Sequence, residues 1–304
     1  MAMLSRVADS LFWAGRYLER AEQLARQLDV THDILVDLAK PDPAGAGAEW
    51  QTTLASLCLP DLPLERLVFD VNEPGSLMGC VSQARENARQ VREVIPNDIW
   101  ERINLAHWNL IETRSAIHDE TVVTKTLGDV LFTTAALDGL VDASMVRSEA
   151  WVFLRLGKWV ERLDRIGRCI AARWQQSANT VSSTKKNVIS VTLLKSLGAL
   201  EAYRKVSPTK VERKTVLSFL LFQANLPRSL RFCALESENL VGKIPQLNPG
   251  SSASVTRAFG RLAAQLEHGD VDEVLANGPE HFLSGTLRDA NHASTLLRHS
   301  YFPS

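Results

Sequence analysis

The sequence predicts an all-α fold, a multi-helix antiparallel bundle, on three observations. Apolar residues recur in steps of three and four along most of the chain, the spacing of one helix face. Few segments alternate with the period of two that a half-buried strand needs. Glycine and proline are sparse, at 16 and 12 of 304 residues, so long helices can run uninterrupted.

Taken in order, Leu4, Val7, Leu11, Ala14, Leu18, Ala21, Ala25 and Leu28 form the apolar stripe of a first helix over residues 4–28. The prolines and glycines of residues 41–47 predict a loop. A short helix is expected over 50–58, followed by an irregular stretch over 60–75 with room for one helical turn. Ser76 is placed to cap a helix running to about Glu93, and Asp98 to cap the next, through Trp100, Ile103, His107 and Leu110. Long helices are read at 126–146 and 148–176. The polar, aperiodic stretch 179–187 reads as a linker. Helices then follow at 191–205, 209–224, 227–240, 252–268 and 278–299, with Pro208 and Pro227 at helix starts and the nearly all-apolar 216–222 buried centrally. Residues 1–178 would form an N-terminal helical region and 188–304 a C-terminal region packed on it, as one continuous domain.

Composition narrows the function. Hydrophobic residues at 45% and charged residues at 23% are ordinary for a soluble globular chain. A net charge of −1 offers nothing to nucleic acid or an anionic membrane. No apolar run reaches the roughly 18 residues of a membrane span. Arg6, Asp9 and Arg16 interrupt any signal peptide, so a cytoplasmic location is expected; Met3 reads as the natural start, with Met1-Ala2 a cloning addition. Cys58, Cys80, Cys169 and Cys233 are scattered without zinc spacing and are expected as buried thiols. His32, His107 and His118 have no serine or cysteine partner in a recognisable motif. There is no GxSxG, no P-loop and no GxGxxG after a strand, so no self-contained nucleotide-hydrolysing or acyl-transferring enzyme and no cofactor of its own is expected.

One charged helix occurs twice. Gly15-Arg16-Tyr17-Leu18-Glu19-Arg20-Ala21-Glu22 returns as Gly157-Lys158-Trp159-Val160-Glu161-Arg162-Leu163-Asp164, a G-[RK]-[YW]-[LV]-E-R-x-[ED] pattern. Arg26 and Arg168 extend the match, which suggests two weakly related halves. At 100° per residue Gly15, Glu19, Glu22 and Arg26 share a face, as do Gly157, Glu161, Asp164 and Arg168. Arg16 and Arg20, like Lys158 and Arg162, are like charges one turn apart and need a carboxylate or an anion nearby. Three readings stay open. The charges form a structural ion-pair network; or they line a cleft where arginines hold carboxylates and glutamates hold an amine; or Glu19-x-x-Glu22 and Glu161-x-x-Asp164 hold a metal, which the intervening arginines oppose. Asp164, where the first copy has Glu22, shortens the reach by one methylene.

The chain resembles the bacterial alpha-E family. The resemblance rests on the opening Met3 to Trp13 leading into Gly15-Arg16-Tyr17-Leu18-Glu19-Arg20, on Ala84-Arg85-Glu86-Asn87-Ala88-Arg89 with Trp100-Glu101, and on Ser148-Glu149-Ala150-Trp151 through Glu161-Arg162. It continues at Glu201-Ala202-Tyr203-Arg204 and Leu226-Pro227-Arg228-Ser229. It implies a helical protein encoded beside a circularly permuted ATP-grasp protein, and often a transglutaminase-like protease, in a peptide- or amide-ligating pathway. The expectation is an accessory protein that binds a peptide-like or small carboxylate substrate or docks the ligase, whose partner supplies ATP and Mg. Arg16, Glu19, Arg20, Glu22, Arg26, Glu161, Arg162, Asp164 and Arg168 are the candidate binding residues, joined by Asn87, Arg89, Glu201, Arg204 and Arg228 from the resembling segments. Glu19 and Glu161 are candidates for a catalytic role. The alternatives are a carboxylate-based enzyme of the same pathway, and a scaffold or homo-oligomer whose charged motifs are internal ion pairs.

Overall fold

The computed structural model describes residues 3–116, 119–207, 211–244 and 249–302. Met1, Ala2, His118, Pro208 and Thr209, on which expectations fell, lie outside the described residues. Among those described are fourteen α-helices, one 3-10 turn (Arg114–Ala116) and no strand.

The longest helix, α1 (Ser5–Leu38), continues ten residues past the expected stripe. The stretch read as a loop opens α2 (Pro43–Leu57) instead: Asp42 accepts from the Gly45 N–H, and Pro43 sits where no helical donor is needed. The expected single turn is α3 (Leu64–Phe69). Ser76 caps α4 (Leu77–Gln90) as expected, accepting from Gly79 N. Pro96, not Asp98, holds the cap position of α5 (Asn97–Thr113), and Asp98 lies in the first turn, where an acid favours the positive helix end. α6 (Glu120–Ser144) starts earlier than expected, capped by Asp119. α7 (Glu149–Ala178) carries the second motif copy.

The expected linker is mostly helix: Ser182 caps α8 (Ser183–Ser196). The helix expected over 191–205 is two, because Gly198 takes φ +64°, a left-handed conformation, between α8 and α9 (Leu200–Val206). α10 (Arg213–Phe222) buries Val216, Leu217, Leu220 and Leu221. α11 (Leu230–Val241) begins two residues after the turn at Pro227-Arg228, once Ser229 caps it. α12 (Pro249–Glu267) and α14 (Pro279–Tyr301) follow expectation, while the seven-residue α13 (Val271–Asn277) is too short to show a period.

Two cores result. The smaller gathers Leu24, Leu28, Leu54, Leu57, Phe69 and Leu77. The larger runs from Leu11 and Phe12 through Leu156 and Ile166 to Leu283 and Leu297, so segments on both sides of residues 179–187 share it. The pairings Gln27 with Ser56 and Thr31 with Thr53 show α1 and α2 running antiparallel. Arg165 to the Leu57 carbonyl, Arg173 to Thr53 and Gln176 to Glu49 show the same for α7 and α2. The antiparallel expectation does not extend to α1 and α7: Gly15 meets 154–158 and Arg20 meets Glu161, so the two central helices run in the same sense.

Cys80, Cys169 and Cys233 are buried, as expected; Cys58 is exposed, a correction. It terminates α2 at φ 54° and ψ 45°.

Candidate functional site

α1 and α7 cross where both have glycine. A Cβ on Gly15 would stand 2.1 Å from the Leu154 carbonyl oxygen, and one on Gly157 would stand 2.0 Å from that of Phe12. Backbone therefore meets backbone, and the charged residues of the following turn are brought face to face.

There the pairing is reciprocal. Arg162 Nε and Nη2 donate to the two oxygens of Glu19 at 2.6 and 2.7 Å. Arg20 Nε and Nη2 donate in the same way to Glu161 at 2.7 and 3.2 Å. The aromatic residue of each motif stacks on the arginine of that motif, Tyr17 under Arg20 at 5.2 Å and Trp159 under Arg162 at 4.9 Å. A buried cysteine lies close enough to each arginine to feel its charge, Cys80 by Arg20 and Cys233 by Arg162; burial pushes these thiols up, to about 11 and about 12.

Beyond this shared plan the two copies differ. Glu161 has no exposed surface and also receives Arg16 at 2.6 Å and Arg165 at 2.9 Å. Burial alone would raise its pKa, but Arg16, Arg165 and Arg20 reverse the sign and hold it below the usual carboxylate range. Glu22 pairs with Arg26 and takes both Nη atoms of Arg228, at 2.9 and 2.8 Å. Against the same burial penalty Arg228 leads in lowering Glu22 to about 2. Asp164 cannot match this. Its shorter side chain accepts from Arg168 at 2.7 Å, and its Oδ1 is buried without a hydrogen bond. Arg168 turns its Nη1 to the Cys58 thiol at 3.1 Å.

The Glu19 copy also borders a cavity of about 430 Å³ between α1, α6, α7 and the Pro227-Arg228 turn. Arg26, Arg155, Lys158, Arg162 and Arg228 line it with Glu19, Glu22 and Asp138. Its walls are aliphatic, from Leu18, Leu131, Val141, Leu154, Leu226 and Pro227. Lys158 Nζ is held by both Asp138 oxygens at 2.6 and 2.7 Å, and Arg155 pairs with Asp138 and with Asp142. Burial, with the Arg162 charge beside it, pushes the Lys158 ammonium down from its ordinary value.

Eight of the candidate residues thus meet at the crossing: Arg16, Glu19, Arg20, Glu22 and Arg26 on α1, Glu161 and Arg162 on α7, and Arg228 before α11; Asp164 and Arg168 pair with each other instead, beside Cys58. The other four do not meet there. Asn87 bonds the Gln83 carbonyl, Arg89 pairs with Glu86, and Glu201 pairs with Arg204, all exposed. Sequence reasoning missed Arg165, Lys158, Arg155 and Asp138 as site residues. Lys158 stood in the motif and Arg155 lies one turn before it, but nothing marked Asp138 on the distant α6.

Two further features were overlooked. Asn72-x-Pro74-x-Ser76-Leu77-x-x-Cys80 returns as Asn225-x-Pro227-x-Ser229-Leu230-x-x-Cys233. Each serine caps its helix and donates to the carbonyl six residues back, Ser76 to Asp70 and Ser229 to Gln223, both at 2.6 Å. Ser82 lies 3.2 Å from His107 Nδ1, so this histidine does have a serine neighbour in space; burial, with the charge of Arg85 rather than an acid beside it, holds the imidazole pKa low. Among the described residues no three His, Cys, Asp or Glu cluster as metal ligands, and the motif carboxylates are occupied by arginines. No described helix is long and apolar enough to cross a membrane.

The Alpha-E family, described as a predicted alpha-helical domain with a conserved ER motif, matches residues 3–302. The chain is also similar to uncharacterized proteins of Mycobacterium bovis and of two Mycobacterium tuberculosis strains, at 28% identity over 90% of this chain. It spans about a third of those relatives' length, 34%. No solved structure matches it. The chain belongs to the Alpha-E family, and Glu19-Arg20 and Glu161-Arg162 are the Glu-Arg dipeptides that interlock at its central crossing.

Proposed function

We propose that this Alpha-E chain is an accessory, substrate-binding protein of an ATP-grasp amide- or peptide-ligase system, built from two related halves. One observation carries the reading. The two motif glutamates share an ion-pair plan, yet Glu161 is closed in by its arginines while Glu19, with Arg162 and Lys158 beside it, lines an open, cation-rich cavity of about 430 Å³. A strut needs no cavity, and a cavity with aliphatic walls and a few convergent polar groups is the usual form of a small-molecule site. The cluster around Glu161 is then the structural member, and the cluster around Glu19, which takes in Lys158 and Arg162 of the other copy, the binding one.

The two-halves reading draws support from the reciprocal glycines, the reciprocal Glu-Arg forks, and the Asn-x-Pro-x-Ser-Leu-x-x-Cys segments that open α4 and α11. The ligase partner, a circularly permuted ATP-grasp protein, would bring ATP and Mg and activate a carboxylate; a transglutaminase-like protease is the second expected partner. Relatives about three times as long are compatible with this region working beside other domains. A catalytic role for Glu19 or Glu161 is less favoured. A general base works best with a pKa near the working pH, and Glu161 is held well below that.

Co-expression with the ATP-grasp protein tests the proposal. Co-elution, and ligase activity lost on Lys158→Met in the cavity, are expected. ATP turnover by this chain alone, or full ligase activity in its absence, would refute it.

A further inference from the structure

Resting on that reading of the cavity, we infer that its ligand is an apolar carboxylic acid whose nitrogen is acylated: the C-terminal residue of a peptide, or an N-acyl amino acid, carrying one negative charge and no ammonium.

Charge sets the head group. Five cations line the cavity against Glu19, Glu22 and Asp138, and Asp142 pairs with Arg155 from outside it. One positive charge is left over, the complement of a single carboxylate rather than of a phosphate dianion. Donors remain to meet it. Arg162 uses Nε and Nη2 on Glu19, and Arg26 uses Nε and Nη2 on Glu22, so each keeps its Nη1; Lys158 has three N–H bonds and two oxygens on them.

The same pairs exclude an ammonium. Glu19 holds the Arg162 fork, Glu22 holds Arg26 and the Arg228 fork, and Asp138 holds Lys158 and Arg155. Every lining carboxylate is already shared between cations, so a free amino group would enter a positive site without a counter-ion. The remaining wall is aliphatic and asks for a body such as a leucine or valine side chain.

Calorimetric titration of the full chain checks this with N-acetyl-L-leucine, L-leucine, N-acetyl-L-leucinamide and phenyl phosphate. Saturable binding of N-acetyl-L-leucine is expected, with leucine and the amide each weaker by about tenfold or more, the worth of one charge-assisted contact. Ala135 lies on the exposed side of α6 at the rim, so Ala135→Trp blocks the cavity without touching an ion pair and should abolish binding at unchanged melting temperature. Acetyl-Ala-Ala-Leu against N-acetyl-L-leucine separates the sources: tighter binding of the peptide assigns a peptide C-terminus, equal binding an N-acyl amino acid, and either keeps the class. Equal binding of leucine or the amide, preference for phenyl phosphate, or titration unaffected by Ala135→Trp would overturn it. If no acid binds while the ligase still co-elutes, the ligand class falls and the accessory reading stands. If acids bind but ligase activity ignores Ala135→Trp, the reverse holds.

Discussion

Arg162 grips both oxygens of Glu19 at 2.6 and 2.7 Å from a position 143 residues away in the chain, in a site where neither side chain is more than a tenth exposed. Charges so placed contribute little net stability when paired, but their loss is costly, because the partner is then stranded out of water.

Glu161→Gln should therefore destabilise severely. It leaves Arg16, Arg20 and Arg165 around a neutral amide with no exposed surface. A loss of about 3–5 kcal/mol is expected for a broken buried pair, read as a drop in the urea midpoint. Activity per folded molecule should persist, since Glu161 itself does not line the cavity beside Glu19.

Gly15→Ala and Gly157→Ala should each destabilise the fold and do so similarly. Either Cβ would stand about 2 Å from a backbone oxygen, so the helices must separate. Overpacking of this kind costs about 1–3 kcal/mol or more. Thermal melts of the two variants check this; a neutral result at either would show that the crossing is looser than described.

Acid should weaken the protein through Glu22. Its folded pKa of about 2 lies below the ordinary 4.5. A depressed carboxylate contributes stability that is complete above its unfolded pKa and is lost as pH falls toward the folded value. The contribution, roughly 3 kcal/mol from the size of the shift, should fade between about pH 4.5 and 2. Urea midpoints across that range should fall more steeply for the natural chain than for Glu22→Gln.

Thiol labelling should find one reactive cysteine in the native chain and four after denaturation. Cys58 alone is exposed, while burial keeps Cys80, Cys169 and Cys233 covered and their thiols protonated. Mass spectrometry after brief alkylation would identify the site, and Cys58→Ser should reduce the native count to zero.

Much of the fold was legible in the sequence because it rests on local pattern. The apolar stripe from Leu4 to Leu28 and the Ser76 cap signal their helices directly. What failed was non-local or ambiguous. Pro43 and Gly45 can break a helix or open one, and only Asp42 in the cap position decides for opening. Gly198 ends a helix that the apolar pattern would have continued. At the site, the repeated Glu-Arg helices were visible because side chains recur in order. Asp138 was not, because its meaning comes from Lys158 and Arg155, which fold onto it from another helix.

Synthesis runs from α1 toward α14, and this order gives the long-range pairs a consequence. Glu161 and Arg162 follow their α1 partners by more than 140 residues, and Arg228 follows Glu22 by 206. When α1 leaves the ribosome none of its motif charges can be neutralised from outside the helix, so they stay hydrated. Closing the contacts costs loop entropy that no earlier contact of the motif repays. A nascent chain halted after α6 carries Glu19 with no fork to hold it. Arg228 must be made before Glu22 meets its fork, so the native charge network is a late event in the folding of this region, long after α1 itself has formed.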